Sequence, residues 1–179
     1  MKKTSLILIL LVLSIAFSGC EHLFGYEEYT DTEDYSKIFE LPEIRSRAAL
    51  ALFPKSIENL NVQEFYFEWK LGIVGSADIQ FLLSIKYEDD QLQEEITRLR
   101  SLADGKIVYD TQNFAYDAYV LVLGYNATNY YALIDGNTVH YILLQIIYAK
   151  DIVFDRNLLP KGYHELGHVK GISYSLVGF

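Results

Sequence analysis

The most specific chemistry in the chain sits near its C-terminal end, in His164-Glu165-Leu166-Gly167-His168. On a helix, two histidines four residues apart share a face, where both imidazoles can bind one zinc ion. The intervening glutamate can then take a proton from a zinc-bound water. A third ligand is needed. Asp151, Asp155 and His140 are the upstream candidates, and the spacing selects none of them. The second reactive residue is Cys20, the only cysteine. A disulfide framework is therefore impossible. The Cys20 thiol directly follows an apolar run that begins behind two lysines.

The longer pattern HExxHxxGxxH belongs to zinc peptidases of the metzincin clan, and Gly171 occupies its glycine position. The resemblance implies a zinc-dependent hydrolase with His164 and His168 as ligands and Glu165 as base. Three departures count against it. Tyr174 stands where the third histidine belongs, Met1 is the only methionine, so a Met-turn is missing, and eleven residues follow His168. Gly162, Gly167 and Gly171 weaken a helix. Strand-like alternation over Val169–Val177 favours a loop or turn entering a terminal strand. The residues therefore predict no metal and no cofactor, with zinc as the alternative.

The first twenty residues are Lys2-Lys3, an uncharged run Leu6–Phe17, then Ser18-Gly19-Cys20. The run is shorter than the roughly 20 apolar residues that span a bilayer, and fits the apolar region of a secretory signal. Phe17-Ser18-Gly19-Cys20 resembles the lipobox of bacterial lipoproteins, with Phe17 departing from the usual aliphatic residue. The resemblance implies that residues 1–19 are removed, that Cys20 carries a diacylglyceryl group, and that the mature chain is extracytoplasmic and lipid-anchored. Two acyl chains hold a protein stably on a membrane.

The formal net charge is −9, and loss of Lys2 and Lys3 makes the mature chain more acidic still. Nucleic acid requires clustered Lys and Arg, so it is excluded as a partner. A 51% hydrophobic and 15% aromatic composition excludes wholesale disorder and suffices for one core. Residues 21–35 hold six acids and neither Lys nor Arg. They read as a solvated tether reaching about 20 Å as a coil and about 50 Å extended. The expected organisation is a signal peptide over 1–19, an acidic tether over 20–35, and one extracytoplasmic domain over 36–179.

That domain reads as α+β: a mostly antiparallel sheet of hairpins and meander, one main packed helix over about 89–103, and one or two short helices. Pro42 to Ala51 is a candidate short helix that Pro54 would end. Phe65, Phe67, Trp69, Leu71 and Ile73 alternate with polar residues, and Ile79, Phe81, Leu83, Ile85 and Tyr87 do so after Gly75-Ser76. Asp90 and Gln93 fit a capping box, Leu92, Ile96, Leu99 and Ala103 form one stripe, and Glu94 and Arg98 pair at i,i+4. Further strands are expected at Lys106–Asp110, Ala118–Tyr125, Asn129–Asp135 and Thr138–Tyr148. Tyr141 to Leu144 is apolar on both faces, which predicts a central strand.

Tyr125, Asn126, Asn129, Tyr130 and Tyr131 cluster at one expected turn, where rings and amides would suit sugar or peptide contact. Plain packing of strand-end tyrosines is favoured over that use. These residues assemble no complete catalytic set. The sequence therefore points to a non-enzymatic binding domain, tied to the bilayer through acylated Cys20 and meeting an envelope protein, peptide or glycan.

Overall fold

Alternation of aromatic and polar residues makes β2 (Asn61–Leu71) and β3 (Ala77–Lys86) a long antiparallel pair, with Phe67 opposite Phe81. Phe65, Phe67, Ile79, Phe81, Leu83 and Ile85 point to one face and are buried there. In the computed structural model, residues 25–41, 44, 48–71, 77–102, 107–121, 128–145, 147 and 149–163 are described. They build one seven-stranded antiparallel sheet in the order β1-β2-β3-β7-β6-β5-β4. The remaining strands are β1 (Tyr26–Tyr29), β4 (Ile107–Asp110), β5 (Asp117–Leu121), β6 (Thr128–Asp135) and β7 (Thr138–Gln145). β7 lies fourth of seven, as its two-sided apolarity requires. Gly136, with φ of 56°, turns β6 into β7 in a backbone conformation that glycine adopts without strain.

Two α-helices whose bounds lie within the described residues accompany the strands. The short α1 spans Tyr35–Ile38, and α2 spans Asp89–Ser101. Leu92 and Leu99 of α2 join the cluster on the first face of the sheet, with Ile38, Ile44, Leu52 and Phe53. The expected capping residues are shifted. Glu88 is the N-cap, and its N–H donates to Gln91 Oε1 at 3.3 Å. Ala103 lies outside the described residues, as does Pro42. Of the expected helix over 42–51, Ile44 is helical, residues 48–51 belong to a 3-10 turn over Ala48–Leu52, and residues 42–43 and 45–47 lie outside the described residues.

The second face is also covered. Leu82, Tyr131, Leu133, Ile142 and Leu144 pack against Phe114 and against Ile147, Phe154, Leu158 and Leu159. The covering segment 149–163 carries two 3-10 turns, Ala149–Asp151 and Arg156–Leu158. Burial on both faces explains why the polar partners in the alternation, Glu68, Gln80 and Ser84, are buried as well.

The acidic segment 20–35 differs from its expected role as a tether. From Gly25 onward it is folded: β1 pairs with β2, and Tyr35 is 3% exposed. The reason lies in the tyrosines between the acids. Tyr29 stacks on Phe67 at 5.7 Å and its hydroxyl donates to Glu27 at 3.1 Å. Tyr26 donates to Glu28 and sits under the Lys70 ammonium at 5.6 Å. An edge strand tolerates such charge, which also discourages edge-to-edge aggregation. Gly25 lies so close to Trp69 that an added Cβ would stand 2.3 Å from the ring.

Candidate functional site

Glu95 occupies the stripe position between Leu92 and Leu99, so the helix carries a carboxylate into the apolar layer. Both its oxygens are engaged. Arg98 donates through Nε to Oε2 at 2.7 Å and through Nη2 to Oε1 at 2.6 Å. The Tyr141 hydroxyl, rising from central strand β7, donates to Oε1 at 2.5 Å and shares a further bond with the Tyr87 hydroxyl at 2.8 Å. Arg98 continues outward, donating to the carbonyls of Ala51 at 2.9 Å and Leu52 at 2.7 Å. The partner of Arg98 is thus Glu95 at i,i+3, where Glu94 at i,i+4 was expected. Glu94 instead lines the groove described next.

This ladder ties α2 to the end of the 3-10 turn Ala48–Leu52, beside an open groove of about 1090 Å³. Phe39, Leu50, Phe53, Pro54, Leu60 and Leu102 give it apolar walls. Tyr87, Glu95 and Arg98 lie along it, and Ala51, Lys55, Gln91 and Glu94 complete the lining. Two cations face two carboxylates, so the groove has no net charge to select an ion. Burial works against the Arg98 cation, but the Glu95 carboxylate outweighs it and its pKa is raised. Burial, then the Glu95 charge, holds the Tyr141 phenol neutral well above its ordinary range. Burial pushes Tyr87 up to about 12. The network is a fixed, charge-balanced wall at neutral pH.

The residues singled out in the sequence lie elsewhere. His164, Glu165, His168, Gly171 and Tyr174 fall outside the described residues, as do Cys20, the signal segment and the expected strand Val169–Val177. The three upstream ligand candidates all lie with the second face, away from the groove. His140 Nδ1 bonds to Ser84 Oγ at 2.8 Å, while its Nε2 is buried with no partner among the described residues. Burial lowers its pKa. The Asp151 carbonyl accepts from Gln80 Nε2 at 3.1 Å. Asp155 caps the 3-10 turn Arg156–Leu158, accepting from the Asn157 N–H at 2.9 Å. Among the described residues no three His, Cys, Asp or Glu side chains converge to hold a metal ion.

The expected tyrosine cluster is divided. Tyr125 and Asn126 lie outside the described residues. Tyr130 and Tyr131 are 6% and 1% exposed, packed into opposite faces of the sheet, and offer no ring to a ligand. The groove residues carried a signal of their own. A charged residue inside the Leu92–Leu99 stripe must be buried with a partner, and an arginine three residues on is the nearest donor. The third member, Tyr141, comes from a strand far away in sequence and carried no comparable sign.

No protein-family model matches the chain, and neither a curated protein nor a solved structure matches it. Among the described residues no helix is long and apolar enough to cross a membrane.

Proposed function

We propose that this chain is a bacterial lipoprotein, anchored outside the cytoplasm through diacylglycerol on Cys20, whose domain binds a protein or peptide segment of the cell envelope without transforming it. The observation that supports binding is the groove beside α2: apolar walls, no net charge, and a polar wall whose donors and acceptors already satisfy one another. Such a groove rewards a large apolar side chain and gives an ion nothing to pair with. A glycan is the poorer fit, because sugars need a free aromatic face. Phe53 spends its face on Phe81 at 4.1 Å, and Tyr130 and Tyr131 are buried.

A photo-crosslinking residue at Gln91, on the groove, should capture a discrete envelope protein in intact cells. Leu60→Asp should abolish that adduct, and the same crosslinker at exposed Tyr109 should not form it. An adduct indifferent to Leu60→Asp means the groove is not the binding surface. Anchoring has its own readout. Cys20→Ala should release the protein from membranes and stop incorporation of radiolabelled lipid, and unchanged fractionation would refute the anchor.

A further inference from the structure

The folding of the acidic segment changes what the anchor can do. Only residues 21–24 separate Cys20 from Gly25, whose carbonyl accepts from the Leu71 N–H at 2.8 Å. A chain of that length spans at most about 18 Å, where a tether through residue 35 would span about 50 Å. Gly25 lies at one end of the sheet, beside the Leu71–Ala77 pair that closes β2 on β3. A lipid on Cys20 would therefore meet the domain near that end.

The surface there is unlike the rest of the acidic domain. Of the four exposed large hydrophobic residues among those described, Tyr26, Leu71 and Val153 flank this end, and Tyr109 alone lies at the far edge. Tyr26 is 47% exposed and lies opposite Lys70 in the β1–β2 register. Leu71 is the last residue of β2. The Val153 N–H donates to Gln80 Oε1 at 3.4 Å, and Gln80 faces Glu68, one pair in from Lys70 and Asp78 on the same face. The Lys70 ammonium pairs with Glu68 at 2.5 Å, so its stem lies along the sheet with the charge neutralised. A tyrosine, two aliphatic side chains and a long lysine form the set that settles at a bilayer interface. Asp78 and Asp151 lie nearby, so the surface is not basic and anionic headgroups do not attract it.

We infer that in the anchored protein this end of the sheet, with Tyr26, Lys70, Leu71 and Val153, rests in the headgroup layer of the bilayer, and that the groove points away from it. The inference rests on the lipoprotein reading above. The contact needs little intrinsic affinity, because a short tether holds the surface at millimolar effective concentration against the lipid. The opposite end of β2 and β3, the Asn61–Lys86 pair, lies about 30 Å further on at roughly 3.3 Å per residue. Tyr87 and Leu60, beside that pair, line the groove. One sheet would thus set both the standing and the reaching surface of the molecule.

The test uses the lipidated full-length product, extracted and reconstituted into phosphatidylcholine vesicles carrying a nitroxide-labelled lipid quencher. With the Cys20 sulfur acylated, a single introduced thiol takes an environment-sensitive fluorophore. Leu71→Cys and Val153→Cys labels should be quenched several-fold more strongly than a Lys86→Cys label. Equal quenching at all three sites, in protein that floats with the vesicles, would overturn the orientation and leave the anchor standing. If purified protein does not float, or if Cys20→Ala floats as well as the parent, the lipid anchor is wrong and the orientation falls with it.

Discussion

Replacing Glu95 with alanine removes the one acceptor shared by Arg98 and Tyr141, leaving the Arg98 cation without its counter-charge and Tyr141 with only the Tyr87 hydroxyl. Arg98 keeps about a third of its side chain in solvent and two carbonyl partners, so the loss falls toward the low end for a broken buried pair, at about 3 kcal/mol. Tyr141→Phe deletes the hydrogen bond to the Glu95 carboxylate and the one shared with the Tyr87 hydroxyl but leaves the Glu95–Arg98 pair intact, and should cost about 2 kcal/mol. Urea unfolding of both variants checks the order, and a smaller loss for Glu95→Ala than for Tyr141→Phe contradicts the network. His140 makes a second prediction. Burial lowers its pKa below the ordinary histidine value of 6.5, so the unfolded chain binds this proton first as pH falls. Its contribution is present above that value and is lost as pH falls through it toward the lower folded value. Unfolding free energy measured from pH 7.5 to 5.5 should therefore fall, and His140→Gln should flatten the decline. An unaltered slope in the variant would assign the effect to other groups. At this scale the sequence shows a carboxylate in an apolar stripe but not its partners, since Tyr141 arrives through sheet register. Spacing alone favoured Glu94 for Arg98, yet Glu95 lies on the buried side of the helix where the arginine is drawn.

The elements were legible where burial is one-sided or the pattern is long. β2, β3 and α2 follow directly from periods of two and 3.6, and the place of β7 follows from its two apolar faces. β1 was hidden. Its four residues place two glutamates between two tyrosines, in a run whose charge resembles a solvated linker, and only its partner Trp69, Phe67 and Lys70 side chains show why it folds. The packing of Gly25 against Trp69 gives a direct test. Gly25→Ala places a methyl group inside the ring contact and should destabilise the protein by about 1–3 kcal/mol, read as a lowered thermal midpoint. A Trp69 emission spectrum that shifts with the substitution would locate the strain, whereas an unchanged midpoint and spectrum would mean the segment is not held there.

On the scale of the whole molecule, the fold class was readable and the groove was not. A groove forms from walls distant in sequence, Phe39 to Leu60 on one side and Gln91 to Leu102 on the other, and no local pattern announces their meeting. The HELGH motif, in contrast, is purely local and lies outside the described residues. Elemental analysis of the purified protein should find no stoichiometric zinc, and His164→Ala should leave its thermal stability unchanged. Near-equimolar zinc that disappears in the variant would bring the hydrolase reading forward in place of the binding one.

The seam between β3 and β7 has a consequence in time. Strands β1 to β3 and β4 to β7 each zip up between neighbours in the chain, but Ile79 meets Gln145 and Lys86 meets Thr138 only after α2 and three further strands have been made. Closing a loop of that size is entropically slow, and the first-face core, which includes Tyr141 and Leu143, is incomplete until it happens. A chain that appears N-terminus first would therefore stay slack over most of its length and lock only once β7, ending at Gln145, is complete.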